Sequence, residues 1–268
     1  KIIRKYMIFR FLNYFILIFQ KILNYTVLIY YKHFNKKNIY SKININSNEK
    51  ILILVPHADD EIIGCYTILS NYSKQVKLFY LNYTGENQNK HIKEIRLQEL
   101  NNLSNLFNIN LISIEADYVN NLRNIINFYN PSIIFVPTLI DWHPEHFRTN
   151  EILFNTLNNI KRNNIRVISY SISVPIPPSY FTSYYPLSIE EQNKKWNIFK
   201  QIYRSQLSIP LYRFKINEKI NGNFCYNNSA EVFYEYKDYQ TFLNVMSLIL
   251  KDKIILLKIK KLKKYINN

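Results

Sequence analysis

The apolar run Ile51-Leu52-Ile53-Leu54-Val55 stops at Pro56 and gives way at once to His57-Ala58-Asp59-Asp60-Glu61. A short run of this kind, rich in β-branched residues and ended by proline, predicts a buried strand whose C-terminal end delivers the next residues into a crevice. The chain repeats the pattern further on. Strands are expected over 51–55, 76–83, 111–114, 132–136 and 166–173, with helices over 61–71, 90–108, 119–129 and 147–162. Such alternation argues an α/β, Rossmann-like doubly wound fold with a mostly parallel sheet covered on both faces.

Side chains of metal-ligand type gather in two short segments, each after a strand-like run that ends in proline: 57–61, and Asp141-Trp142-His143-Pro144-Glu145-His146. His57 and Asp60, three positions apart, offer an imidazole nitrogen and a hard carboxylate oxygen. A downstream histidine supplies a third ligand, which leaves one coordination position open for water. Asp59 between the two is a spare carboxylate. Seen alone, an acidic turn before a helix is ordinarily an N-cap. However, the chain has five His, and three of them fall in these two segments. The pattern reads as the metal site of a hydrolase. Two His and one carboxylate also make the facial triad of non-haem iron oxygenases. That chemistry needs no extra carboxylate beside the ligand and does not account for the alternating strands and helices.

These segments resemble the PIG-L / LmbE-like family of zinc-dependent de-N-acetylases, whose pattern is a strand, His-Pro-Asp-Asp-Glu and, later, His-Pro-Asp-His. Here Ala58 stands for the first Pro and Glu145 for the later Asp; neither position is expected to touch the metal. Thr84-Gly85, Arg96 with Glu99, Tyr203 with Ser205-Gln206, and Ala230-Glu231-Val232-Phe233 extend the resemblance over about residues 50–235. The resemblance implies His57, Asp60 and His146 as ligands of Zn2+, with another divalent metal such as Fe2+ as the alternative. It also implies Asp59 as general base, His143 as a protonated oxyanion stabiliser beside the substrate carbonyl, and Arg96 facing the substrate. The implied reaction is hydrolysis of the acetamide of an N-acetylhexosamine (GlcNAc-type) unit in a glycan or glycolipid precursor, with release of acetate. Zinc lowers the pKa of a bound water to about 7, so a neighbouring carboxylate can complete its deprotonation at neutral pH. A different metal-dependent amidase and a non-catalytic, membrane-associated glycan-binding protein on the same fold stay open as alternatives. The base kept beside the ligands argues against the second.

The formal charge of +16 first suggests nucleic acid, but its distribution does not. Residues 1–37 carry eight Lys or Arg and no acid (+8), and residues 251–268 carry seven Lys against Asp252 (+6), which leaves +2 for everything between. No nucleic-acid partner is expected for a body so nearly neutral. Phe11–Gln20 and Ile22–Tyr31 are uncharged, with Lys21 between them. A Lys at the centre of a span costs about 2.5–3.5 kcal/mol, which favours helices lying in the membrane interface over a single-pass anchor. No small-residue cleavage site follows this apolar region, since the first Ala of the chain is Ala58. Ile255, Ile259, Leu262 and Ile266 make an apolar stripe opposite five lysines, a second membrane-surface signature.

The expected organisation is a membrane-associated helical segment over 1–37, a linker over 38–50, a de-N-acetylase domain over 51–240 and a basic amphipathic helix over 241–268, cytoplasmic and held at a membrane surface. Cys65 and Cys225 lack framework spacing, so no disulfide scaffold is expected. The aromatic, proline-rich stretch Val174–Pro186 reads equally as a substrate-side loop or as a structural crossover.

Overall fold

The computed structural model describes residues 22, 26, 29, 40–83, 90–141, 143–160 and 164–252. Among them, one sheet is built from β1 (Ser41–Lys42), β2 (Ile51–Val55), β3 (Val76–Tyr80), β4 (Asn110–Ser113), β5 (Ile133–Pro137), β6 (Arg166–Tyr170), β7 (Ser183–Leu187) and β8 (Ser229–Glu235). The helices are α1 (Asp60–Asn71), α2 (Lys90–Phe107), α3 (Tyr118–Tyr129), α4 (Pro144–Asn158), α5 (Ile189–Ile202), α6 (Leu211–Phe224) and α7 (Tyr239–Lys251).

The strand order is β1-β7-β8-β6-β5-β2-β3-β4. Strands β6, β5, β2, β3 and β4 are parallel, while β8 runs antiparallel to both β6 and β7. The five strands expected from sequence form this parallel region, two of them shorter than expected. β3 ends at Tyr80, two residues before Asn82 takes a left-handed backbone (φ 48), and β6 ends at Tyr170.

From β2 the chain lays down β3 and β4 on one side, then returns to place β5 on the other. The order therefore reverses between β2 and β5. In an open α/β sheet a crevice lies at this point, outside the C-terminal ends of the strands. The period-two alternation of β2 explains its all-apolar sequence. Ile51, Ile53 and Val55 pack into a core that includes Ile62, Leu100 and Phe199, while Leu52 and Leu54 pack into a second core with Leu122, Leu153 and Phe242. Each such buried aliphatic side chain stabilises the fold by about 1.5–3 kcal/mol.

α1 is broken at Cys65, whose backbone is non-helical (φ −134, ψ 21). The close approach behind the break requires Gly64, where a Cβ would lie 2.2 Å from the Tyr170 ring. Beyond the break the helix starts again, and the Tyr66 and Thr67 amides donate to the Glu231 carboxylate at 3.1 and 2.9 Å. Lys195, fully buried, donates to Glu231 and to the Ile63 carbonyl, both at 2.7 Å, and lies 2.6 Å from Glu218. Burial alone would lower the Lys195 ammonium, but Glu218 and Glu231 outweigh it and hold it above its usual value.

The 38–50 stretch is less of a linker than expected. It supplies β1, buries Ile43 and Ile45, and is pinned by Arg166, which reaches Glu49 at 3.2 Å and Glu235 at 2.7 Å. Val174–Pro186 is a structural crossover: Ile176 and Phe181 are buried with Phe224 and Val232, and its end forms β7. α7 stops at Lys251 with Asp252 in an extended conformation, and the basic stripe beyond it lies outside the described residues. So does the 1–37 segment apart from Ile22, Thr26 and Ile29. Among the described residues no helix is long and apolar enough to cross a membrane.

Candidate metal centre

The β2–α1 turn and the segment between β5 and α4 meet in the crevice and bring both motifs together. In the first, Asp60 folds back on its own turn, its Oδ2 accepting from the His57 amide at 2.9 Å. The same oxygen lies 3.1 Å from His57 Nδ1 and 3.4 Å from His146 Nε2, and those two nitrogens are 3.3 Å apart. Tetrahedral zinc with bonds of about 2.0–2.1 Å separates neighbouring ligand atoms by about 3.3–3.4 Å. The three atoms therefore fit one face of such a site. His143 stands beside them, its ring centroid 4.7 Å from those of His57 and His146. One nitrogen from each of the three histidines falls within 4.8 Å of the others, a looser grouping than the two-His, one-carboxylate triangle.

His143 also caps α4, its Nδ1 accepting from the Glu145 amide at 3.3 Å. That contact leaves the ring proton on Nε2. Asp141 braces the turn through Oδ1, which accepts from the His143 amide at 3.0 Å, and through Oδ2, which accepts from the Ser173 amide at 2.9 Å. Its Oδ2 lies 3.0 Å from His146 Nδ1, an ion-pair contact set off the line of a hydrogen bond. Glu145 Oε2 lies 2.5 Å from His57 Nε2. Each of these two imidazoles therefore faces a carboxylate on the nitrogen turned away from the triangle, the arrangement that orients metal-binding histidines. Sequence reasoning gave Asp141 no role and left Glu145 without one.

Burial lowers the His57 imidazole, but Asp60 and Glu145 outweigh it, and the group is pushed up to about 9. For His146 burial is likewise outweighed, here by Asp60 and Asp141, and the group rises to about 10. Burial would raise Asp60, but the two histidines hold it well below the carboxylate range. His143 moves the other way, pushed down to about 4 by burial and by the positive charge of His57 and His146. Its imidazole is neutral at pH 7, not protonated as expected.

Asp59 is 5% exposed, and its carboxylate makes no hydrogen bond among the described residues. Burial and the neighbouring Asp60 raise it well above the usual carboxylate range. Its backbone sits at φ 129, a left-handed conformation that costs a non-glycine residue on the order of 1–3 kcal/mol. Arg96, on α2, is near enough for its charge to bear on Asp59, and its Nη2 is 3.5 Å from Gln206 Oε1. Glu99, three positions from Arg96 on α2, does not pair with it. It is buried and accepts from the Ser205 amide and hydroxyl at 2.8 and 2.6 Å. Thr84-Gly85 and Trp142 lie outside the described residues.

Residues 52–157 match the PIG-L family, GlcNAc-PI de-N-acetylase. The match spans both motifs, so the PIG-L resemblance rests on the segments that build the centre. Among solved structures, the conserved protein TT1542 from Thermus thermophilus superposes with a TM-score of 0.54 at 19% identity, over 69% of this chain and 94% of that one. The zinc-inhibited form of teicoplanin deacetylase Orf2 gives 0.55 at 12%, over 70% and 98%. GalB, the 4-carboxy-2-hydroxymuconate hydratase from Pseudomonas putida, gives 0.52 at 12%, over 70% and 95%. No curated protein matches the chain in sequence. At these identities the likeness is one of fold. Since the PIG-L-like architecture serves a hydratase as well as deacetylases, the chemistry has to be argued from the side chains of this chain.

Proposed function

We propose that this chain is a zinc-dependent N-deacetylase that hydrolyses the acetamide of an N-acetylhexosamine unit in a glycan or glycolipid precursor. The observation that carries the reading is the triangle of His57 Nδ1, Asp60 Oδ2 and His146 Nε2, with edges of 3.1–3.4 Å, beside a buried Asp59 carboxylate free of hydrogen bonds among the described residues. In this reading those three residues hold the ion, and Asp141 and Glu145 fix the two imidazoles. A bound zinc ion supplies a Lewis acid for the amide carbonyl and lowers the pKa of its water to about 7.

The remaining steps belong to the protein. Asp59 accepts the proton of the attacking water, and its raised affinity for protons suits it to pass that proton to the departing amine. His143, neutral and protonated at Nε2, donates to the oxygen that gains negative charge. Losing one such donor costs about 2.7–4 kcal/mol in comparable sites. Arg96 stands on the Asp59 side, where substrate hydroxyls would be held. Acetate and a free amine leave.

Two measurements on purified protein test the reading: metal content, and acetate release from a panel of N-acetylhexosamine conjugates. About one zinc or comparable divalent ion per chain and acetate from at least one conjugate are expected. Protein that carries a full complement of metal yet releases no acetate from any acetamido sugar would remove the deacetylase reading. The basic apolar residues 1–37 and the lysine-rich end of 241–268 support the further proposal that the 51–240 body works at the cytoplasmic face of a membrane.

A further inference from the structure

Glu61 and Tyr203 are fully buried, 142 residues apart in sequence, and neither has a part in the chemistry above. The Tyr203 hydroxyl donates to Glu61 Oε1, and Glu61 Oε2 accepts from the Asp59 amide at 3.2 Å. On the other side of the same peptide, Gln206 Nε2 donates to the Ala58 carbonyl at 3.4 Å. Tyr203 and Gln206 flank the turn whose Ser205 is held by Glu99 of α2. The Ala58–Asp59 peptide is thus gripped at its carbonyl and at its amide. The gripped residue is the one with φ 129 in the β2–α1 turn, and its carboxylate is left without a hydrogen bond among the described residues.

We propose that Glu61 and Tyr203 are positioning residues that hold the Ala58–Asp59 peptide in its left-handed conformation and so fix where the Asp59 carboxylate stands, without taking part in metal binding. The functional half of this inference rests on the proposed role of Asp59 as base; the structural half does not. A strained backbone persists only where its surroundings over-determine it, and here the surroundings are two hydrogen bonds from a distant turn. A misplacement of about 1 Å in a catalytic group costs up to about a hundredfold in rate.

The test compares full-length Tyr203→Phe with the unaltered protein in three measurements: zinc stoichiometry, kcat and KM on the best acetamido conjugate, and amide hydrogen exchange at Asp59. Zinc content and KM are expected to hold, while kcat falls about tenfold or more and the Asp59 amide exchanges about tenfold faster than in the unaltered protein. Adding Tyr203→Phe to Asp59→Asn should then cost little beyond Asp59→Asn alone, because the clamp acts through the residue already lost. A buried polar pair with only a stabilising role would give additive losses and unchanged exchange at Asp59, and either result overturns the proposal. So does zinc lost in step with rate. Should Tyr203→Phe fail to fold, Glu61→Gln, which keeps the shape but only one of the two acceptor oxygens, is expected to show the same pattern more weakly, and unchanged exchange at Asp59 in that variant overturns the clamp. An unaltered protein with no activity on acetamides would sink the deacetylase reading while the exchange measurement still decides the clamp.

Discussion

Zinc added to metal-free protein at pH 7 is expected to displace close to two protons. His57 is pushed up to about 9 and His146 to about 10, so both imidazoles carry a proton at pH 7 that must leave before a metal can bind. Two ordinary imidazoles of pKa about 6.5 would together release only about half a proton at that pH. The sign follows from the raised values. The pairing of these groups with Asp60, Asp141 and Glu145 stabilises metal-free protein fully below about pH 6.5, and that stability is lost as pH rises through 9 to 10. Metal affinity runs the opposite way. It should climb by about a hundredfold per pH unit up to 9, by about tenfold from 9 to 10, and then level off; between pH 6 and 8 the gain is about 10⁴-fold. Titration calorimetry at pH 7 in two buffers of different ionisation enthalpy counts the protons directly. Release of half a proton or less, with affinity nearly flat above pH 7, would refute the argument that the three carboxylates hold both imidazoles charged.

Asp59→Asn should keep the ion and lose about a hundredfold or more in acetate release, whereas Asp60→Asn should lose metal affinity by more than tenfold in equilibrium dialysis. Equal metal loss in the two variants would dissolve the division between base and ligand. Gly64→Ala places a Cβ 2.2 Å from the Tyr170 ring and should cost about 1–3 kcal/mol in urea unfolding; an unchanged midpoint would mean that the ring steps aside freely. Lys195→Met leaves Glu218 and Glu231 buried without their cation and should cost about 3–5 kcal/mol by the same method, a loss that a merely incidental lysine would not produce.

The parallel half of the sheet was legible because its strands are short runs centred on apolar residues and all but β6 have a helix after them, and β2 showed its burial on two faces by having no polar position. β7 and β8 were not legible as strands. β7 contains Pro186, tolerated because it lies past Ser183–Tyr184, the only positions where β1 pairs with it. α5 left a signal that went unread: Ser188 and Glu191 form a capping box in front of it. In the centre, His57, Asp60, His143 and His146 come together as the motif spacing implied. The groups that orient them were harder to find. Glu145 meets His57 across 88 residues and Tyr203 meets Glu61 across 142, and no local periodicity carries such pairs.

A helix that starts twice also has two positively polarised ends, because each start leaves amide groups without a carbonyl of their own helix. In α1 the inner start, at Tyr66 and Thr67, spends its polarity on Glu231, and Lys195 compensates that carboxylate in turn. The outer start, at Asp60 and Glu61, faces the crevice with barely more than one turn behind it. What the crevice feels from α1 is therefore the field of a few local amides, not of a twelve-residue dipole, while the inner start is met inside the core by Glu231 and Lys195.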